Sequence, residues 1–308
     1  MREFIAELSN RYNVKRKDLL EKDIIIQKIL LDLSKNDLFS KNFVFKGGTC
    51  LIKCYLGYYR FSEDIDFTWR DQSIFKHKSQ KEIRRIISEL KDKIGEILVV
   101  IAKNRDLDFK MEKDNKDFME FGGGNKFVTF KIWYDSEILN ERSFIKIQTN
   151  FVEHLVFDVS KKDVNCILNK TESEEIKLLY GQDYKEYIKN ISLYTYDVEE
   201  ILCEKVRAIL TRRGIKARDF IDVFLIINRY SISVEDFKDQ IVDKIKYMFT
   251  LYEKYRSNFE EKKKLIHNSD FFKWGYEKEL LLMEIDENEF SIFIKDFLKI
   301  LQDVSNSI

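Results

Sequence analysis

The 308-residue sequence contains no proline, three histidines (His77, His154, His267) and four cysteines (Cys50, Cys54, Cys166, Cys203). The missing proline fits a parent genome rich in Lys, Ile and Asn codons and carries no chemistry. No CxxC pair occurs and the histidines are scattered, which argues against a zinc site. Cys50 and Cys54 lie one helical turn apart in an apolar segment, and all four thiols read as free and buried or half-buried. Charge of one sign is also missing: 54 basic and 54 acidic residues cancel. A nucleic-acid partner therefore needs a local basic surface, because overall charge supplies none. No run approaches the ~18 apolar residues of a membrane span. The opening stretch, MREFIAELSNRYNVKRKDLL, is too charged for the apolar core of a secretion signal. The expectation is a cytoplasmic protein with no membrane partner.

What is present suffices for a large core: hydrophobic content is 44% and aromatic content 14%. The length is about twice that of a typical domain, so one large or two medium domains are expected. Phe4, Ile5, Leu8 and Tyr12, then Leu19, Leu20, Ile24, Ile25 and Ile29, follow helical spacing. Residues 42–46 read as a buried strand ended by Gly47-Gly48, with Thr49 as N-cap of a helix over 50–56. Residues 61–69 read as a second strand and 79–102 as a long helix. The middle is strand-rich, at 125–134 and 141–157, and Gly122-Gly123-Gly124-Asn125 reads as a hairpin turn. From Asp197, a capping-box-like start with Glu200, helices are expected near 197–212, 217–230, 234–255, 258–274 and 290–304. The charge run 260–264 reads as a solvated helix face. There is no internal repeat.

The informative stretch is Lys46 to Trp69, KGGTCLIKCYLGYYRFSEDIDFTW. A strand, a Gly-Gly turn and a helix start direct free backbone N–H groups at whatever lies above the turn, and glycine lets the backbone approach it. On the next strand, Asp64 and Asp66 share one face while Ile65 turns into the core. Two carboxylates this close call for a cation, and oxygen ligands completed by phosphate and water suit Mg²⁺. Neither half is specific alone; together and in this order they read as a nucleotide and metal site.

Lys46-Gly-Gly-Thr49 followed by Arg60-Phe-Ser-Glu-Asp-Ile-Asp-Phe67 resembles the signature of the AbiEii/AbiGii toxin group in the DNA polymerase β-like nucleotidyltransferase superfamily. The resemblance runs over roughly residues 25 to 230 and takes in Glu204-Lys205 and Arg218-Asp219-Phe-Ile-Asp222. It implies an α+β fold: a polymerase β-like core with a mixed sheet over 1–195, then a C-terminal helical bundle over 196–308, with the boundary between 189 and 230. It also implies Mg²⁺-dependent transfer of NMP from an NTP to an acceptor hydroxyl. In several members the acceptor is tRNA and the enzyme is the toxin of a toxin–antitoxin or abortive-infection (phage defence) pair. Carried onto this chain, Gly47, Gly48 and Thr49 would contact triphosphate, Ser62 would lie at the same edge, and Asp64 and Asp66 would bind metal. Lys205 taken alone reads as a snorkelling surface lysine, and Asp219 and Asp222 as helix-start charges. The resemblance assigns Lys205 to the departing phosphates, with the two aspartates orienting it or an attacking hydroxyl.

One departure stands out. The superfamily's third carboxylate is expected near Gln148, whose amide has no charge; Glu153 falls on the opposite face if strand alternation continues unbroken. Either the Asp64 and Asp66 pair suffices, or Asp219 or Asp222 is the base, or activity is lost. Lys205, Arg207, Arg212, Arg213, Lys216 and Arg218, and separately Arg11, Lys15, Arg16 and Lys17, form basic groups that could hold RNA phosphates. The competing reading is a catalytically weak or silent nucleotide-binding or interaction protein of the same fold. A Mg²⁺-dependent nuclease is disfavoured by the Gly-Gly-Thr cradle.

Overall fold

The structure is a computed structural model that describes residues 1–168, 174–266 and 271–308. His267 and part of the expected 258–274 helix lie outside the described residues. The chain divides into two compact units, Met1–Glu153 with Val159–Thr195, and His154–Asp158 with Tyr196–Ile308.

The first unit is built on a seven-stranded mixed sheet. Its strands are β1 (Phe43–Lys46), β2 (Asp64–Trp69), β3 (Met119–Gly122), β4 (Phe127–Asp135), β5 (Arg142–Asn150), β6 (Ser160–Asp163) and β7 (Ser192–Thr195), in the order β3-β4-β5-β2-β1-β7-β6. β2 runs parallel to β5 and β1 parallel to β7, and every other pairing is antiparallel. Its helices are α1 (Arg2–Arg11), α2 (Lys17–Lys35), α3 (Asp37–Asn42), α4 (Gly47–Leu51), α5 (Gln80–Asn104), α6 (Glu174–Leu179) and α7 (Gly181–Tyr187). The core on one side of the sheet is aliphatic and aromatic: Val128, Phe130, Ile132, Ile145 and Ile147 are all buried there. α5 starts with a reciprocal capping box in which Ser79 and Glu82 satisfy each other's backbone N–H. The glycine run forms the tip of the β3–β4 hairpin, where Gly123, Gly124 and Asn125 all have positive φ.

The second unit is helical: α8 (Val198–Thr211), α9 (Ala217–Tyr230), α10 (Lys238–Leu251), α11 (Glu253–Leu265) and α12 (Glu287–Asn306). α8 packs against α9, α10 and α11. Between α9 and α12 lie the edge-on contacts Phe220–Phe297 and Phe224–Phe290 and the tilted pair Phe224–Phe293, edge-on geometry being one that the ring quadrupoles favour beyond simple burial.

Several expectations need correction. The stretch expected as one strand over 141–157 ends at Asn150, and the stretch expected from 61 begins at Asp64. The helix expected over 50–56 starts three residues earlier, at Gly47, with Thr49 inside it; its second half, Ile52–Leu56, is a π-helix. At α8, Asp197 accepts from Glu199 N–H as a cap, but Glu200 does not close a capping box. It is buried, and accepts instead from the N–H groups of Val156 and Phe157 and pairs with Lys244. The helix expected over 234–255 is a short 3-10 turn at Glu235–Phe237 followed by α10. Lys262 in the charge run is buried, its ammonium 5.5 Å from the Phe271 ring, so that run is not a uniformly solvated face.

Candidate active site

β1 and β2 are antiparallel neighbours, so the turn that leaves β1 and the aspartates that open β2 come together. In register, Lys46 faces Asp66. Gly47 has φ +77°, and a Cβ there would collide with the Asp66 carboxylate. That position therefore needs glycine twice over, for its left-handed backbone and for the space Asp66 takes. At Gly48 an added Cβ would sit 2.9 Å from Arg60 Nη2 and 3.2 Å from Ser62 Oγ. The Gly-Gly backbone, Ser62 and Asp66 thus form one constellation. Asp64 and Asp66 are half-buried, and Ile65 between them is fully buried, as alternation requires.

Thr49 plays a different part from the expected cap. It is 1% exposed, and its hydroxyl donates to the Asp64 backbone carbonyl. That bond ties α4 to β2 and leaves the Thr49 side chain engaged inside the protein. Cys50, the next residue, is buried, which raises its thiol pKa; Cys54 and the Asp66 charge act in the same direction. All four cysteines are free.

Gln148 is the register partner of Asp66 across the parallel β2–β5 pairing, and Lys146 is the partner of Asp64. The position where a third carboxylate was expected is therefore beside the aspartates and carries an amide. Glu153 corrects the parity argument. β5 ends at Asn150, and beyond it the Glu153 carboxylate folds back to accept from Asn150 Nδ2 at 2.8 Å and to meet Lys46 Nζ at 3.4 Å. Asn150 and Lys46 both belong to the Asp66 side of the sheet, so Glu153 does too. Strand alternation could not reveal this because the strand has already stopped. Arg60 is a residue to which sequence reasoning gave no role: it is 5% exposed and lies against Gly48, donating to the Phe61 carbonyl at 2.9 Å. Its signal was a lone cation between Tyr58, Tyr59 and Phe61.

Among the described residues no group of three His, Cys, Asp or Glu could hold a metal on its own. Two half-exposed carboxylates with a glycine cradle beside them nonetheless fit Mg²⁺, which typically takes one or two protein carboxylates and completes its shell with phosphate oxygens and water.

The second unit holds the other predicted residues. Lys205 Nζ lies 3.0 Å from Asp219 Oδ1 and 2.6 Å from Asp222 Oδ2, and Arg212 Nη1 lies 2.6 Å from Asp219 Oδ2. The side chains of Asp219 and Asp222 are 3% and 0% exposed. Burial pushes the Asp219 carboxyl up, but Lys205 and Arg212 outweigh it and the pKa ends below the ordinary range. Glu204 pairs with Lys244 and Arg207. The one-turn spacings that put Asp219 and Asp222 on one face of α9 therefore aim both at Lys205, and both carboxylates are buried and ion-paired. Of the six cations counted as a basic patch, Lys205, Arg207 and Arg212 are committed to carboxylates. In the other basic group, Arg11 pairs with Glu7 and Arg16 with Asp18.

The fold is that of nucleotidyltransferase toxins. MenT4, a nucleotidyltransferase toxin from Mycobacterium tuberculosis, superposes with a TM-score of 0.52 at 17% identity, over 97% of this chain and 89% of that one. JHP933 from Helicobacter pylori aligns at 16% identity over 94% of each chain, with a TM-score of 0.43. No curated protein matches the sequence. Residues 28–303 match the family described as nucleotidyl transferase AbiEii toxin, type IV toxin–antitoxin system. The chain belongs to the AbiEii family of nucleotidyltransferase toxins, and membership implies a nucleotide substrate and an antitoxin. No helix among the described residues is long and apolar enough to cross a membrane.

Proposed function

We propose that the protein moves NMP from an NTP to a hydroxyl of RNA, tRNA foremost, and that this transfer is the toxic activity restrained by the cognate antitoxin. The observation that carries the reading is Gly47, whose positive φ and missing side chain make room for the Asp66 carboxylate, so that the phosphate turn and the acidic pair act as one site.

In this reading the backbone N–H groups at Gly48 and Thr49 receive the triphosphate, and Ser62 offers its hydroxyl at the same edge. Asp64 and Asp66 would hold Mg²⁺, which when bound neutralises phosphate charge and supports in-line displacement. The acceptor oxygen attacks the α-phosphorus, forming a new P–O bond as the bond to the β-phosphate bridging oxygen breaks; pyrophosphate leaves and the acceptor proton passes to solvent. Lys205, Asp219 and Asp222 carry the family motif in the second unit, where two buried carboxylates fix the lysine. Positioning and charge stabilisation supply most of the rate.

The test is transfer of label from α-labelled NTPs to total tRNA by the purified protein with Mg²⁺, alongside Asp66→Ala. Label on tRNA that the substitution abolishes is the expected result; no label on any RNA with the wild type would overturn the acceptor class. Gln148 beside Asp66 favours a second reading, a catalytically silent nucleotide-binding protein of this fold. Equal growth arrest by wild type and Asp66→Ala in a bacterial host, with no incorporation by either, would decide for it.

A further inference from the structure

The sheet face that carries Asp64 and Asp66 continues across β5 and β4. Lys146 is the register partner of Asp64, and both point to the same side. Alternation then brings Phe144 and Arg142 onto that side along β5, and along β4 it brings Lys131, the cross-strand partner of Lys146, and Trp133, the partner of Phe144. These positions are half-buried or exposed, whereas the intervening residues Val128, Phe130, Ile132, Ile145 and Ile147 fill the core on the other side. A two-sided sheet whose second face is neither apolar nor uniformly charged calls for an explanation.

The chemistry of that face is specific. Trp133 and Phe144 sit ring against ring, 4.8 Å apart. Arg142 lies 4.8 Å over Trp133, and Lys131 and Lys146 lie 5.6 Å and 5.7 Å from Phe144. Aromatic surface interleaved with cations is what an unpaired nucleotide strand requires, rings for the bases and ammonium or guanidinium groups for the phosphates. Among the described residues the Lys146 ammonium has no carboxylate partner. Lys131 and Arg142 do have partners, Glu120 and Asp108, but these carboxylates are 49% and 45% exposed, and ion pairs that open to water exchange at little cost. Continuity decides the occupant: the strip begins one strand from Asp64, about 5 Å away, and runs along β5 at ~7 Å per outward-facing residue.

We propose that this face of β4 and β5 is the docking surface for the single-stranded end of the RNA acceptor, with Lys146 taking the phosphate nearest the Asp64–Asp66 pair and Trp133 and Phe144 stacking unpaired bases. The proposal rests on the RNA reading above and adds where the acceptor lies. It explains how a protein of zero net charge holds a polyanion: the cations are few, but they are collected on one face with rings between them.

The experiment uses the full chain and a fluorescein-labelled single-stranded oligoribonucleotide of about twelve nucleotides. Lys146→Glu is expected to weaken oligonucleotide binding at least about tenfold and to reduce the salt slope by about one, with Lys146→Arg restoring both. The far-UV circular dichroism and the melting midpoint of Lys146→Glu should match the wild type, which a collapsed fold would not permit. Binding should quench tryptophan fluorescence in the wild type and do so much less in Trp133→Phe. Unchanged affinity in Lys146→Glu with quenching retained in Trp133→Phe overturns the surface, and label still passing to RNA in that case leaves the acceptor reading standing. Wild type that labels a protein and no RNA overturns both.

Discussion

The two clusters of charge in this molecule have opposite characters. Asp64 and Asp66 stand half-buried on a strand, separated by a core isoleucine, with a glycine cradle kept open beside them. Lys205, Asp219 and Asp222 are sunk into a helical unit and satisfy one another. Like charges held near each other store repulsion that a ligand cation can relieve, whereas opposite charges held together are already relieved and act by staying fixed. The first cluster is arranged to receive something and the second to hold a lysine still. Substitutions should therefore separate them: the first set should lose activity and keep stability, and the second should lose stability first.

The largest effect is expected at Asp66. Asp66→Ala, and likewise Asp64→Ala, should lower transfer by about a thousandfold, the scale of a lost electrostatic stabiliser. Stability in denaturant titration should fall by less than about 1 kcal/mol, because removing one of two like charges relieves repulsion in the absence of a cation. A variant that melts would make the pair structural and erase the contrast. Asp222→Asn should do the reverse, with about 3 kcal/mol lost in the same titration because an ion pair with a fully buried carboxylate is broken.

Gly47→Ala probes the boundary between the two behaviours. The added Cβ is strained at φ +77° and displaces Asp66, so single-turnover transfer should fall about a hundredfold with misplacement of the site, while the strain itself costs about 1–2 kcal/mol. The smallest effect is on pH dependence. The Asp219 pKa is held below its ordinary 3.8, so the folded state gains stability that is complete above the unfolded pKa and is lost as pH falls through the folded one. Thermal melts from about pH 5 downward should fall less steeply in Asp219→Asn than in the wild type. An unaltered slope would mean that Asp219 contributes nothing to acid sensitivity.

Much of this was readable before any coordinates. The Gly-Gly turn and the Asp-Ile-Asp strand follow from glycine's freedom and strand alternation, and α9 was bounded correctly over 217–230 by its apolar spacing. Misreadings fell where a tertiary partner overrides a local pattern. Thr49 resembles a cap, but its hydroxyl serves a neighbouring strand. Glu200 sits at a capping-box position, yet it receives two N–H groups from 156 and 157 and a lysine from α10. Lys262 belongs to a charge run, yet it is buried against Phe271. Glu153 falls on the opposite face only if alternation continues, and β5 ends at Asn150 before reaching it.

The sequence by itself determined the local chemistry: which residues could cradle phosphate, which carboxylates share a face, which helices form. Those properties depend on backbone freedom and on periodicities of a few residues, and they are written within one or two turns of chain. Only the tertiary structure decided which charges remain available. The pairing of β1 with β2 set Asp66 against Gly47, the pairing of β2 with β5 set Gln148 and Lys146 beside the aspartates, and the packing of α8 with α9 closed Lys205 onto its carboxylates. Long-range register and packing make those choices because a charge's partner and its solvation depend on neighbours distant in sequence.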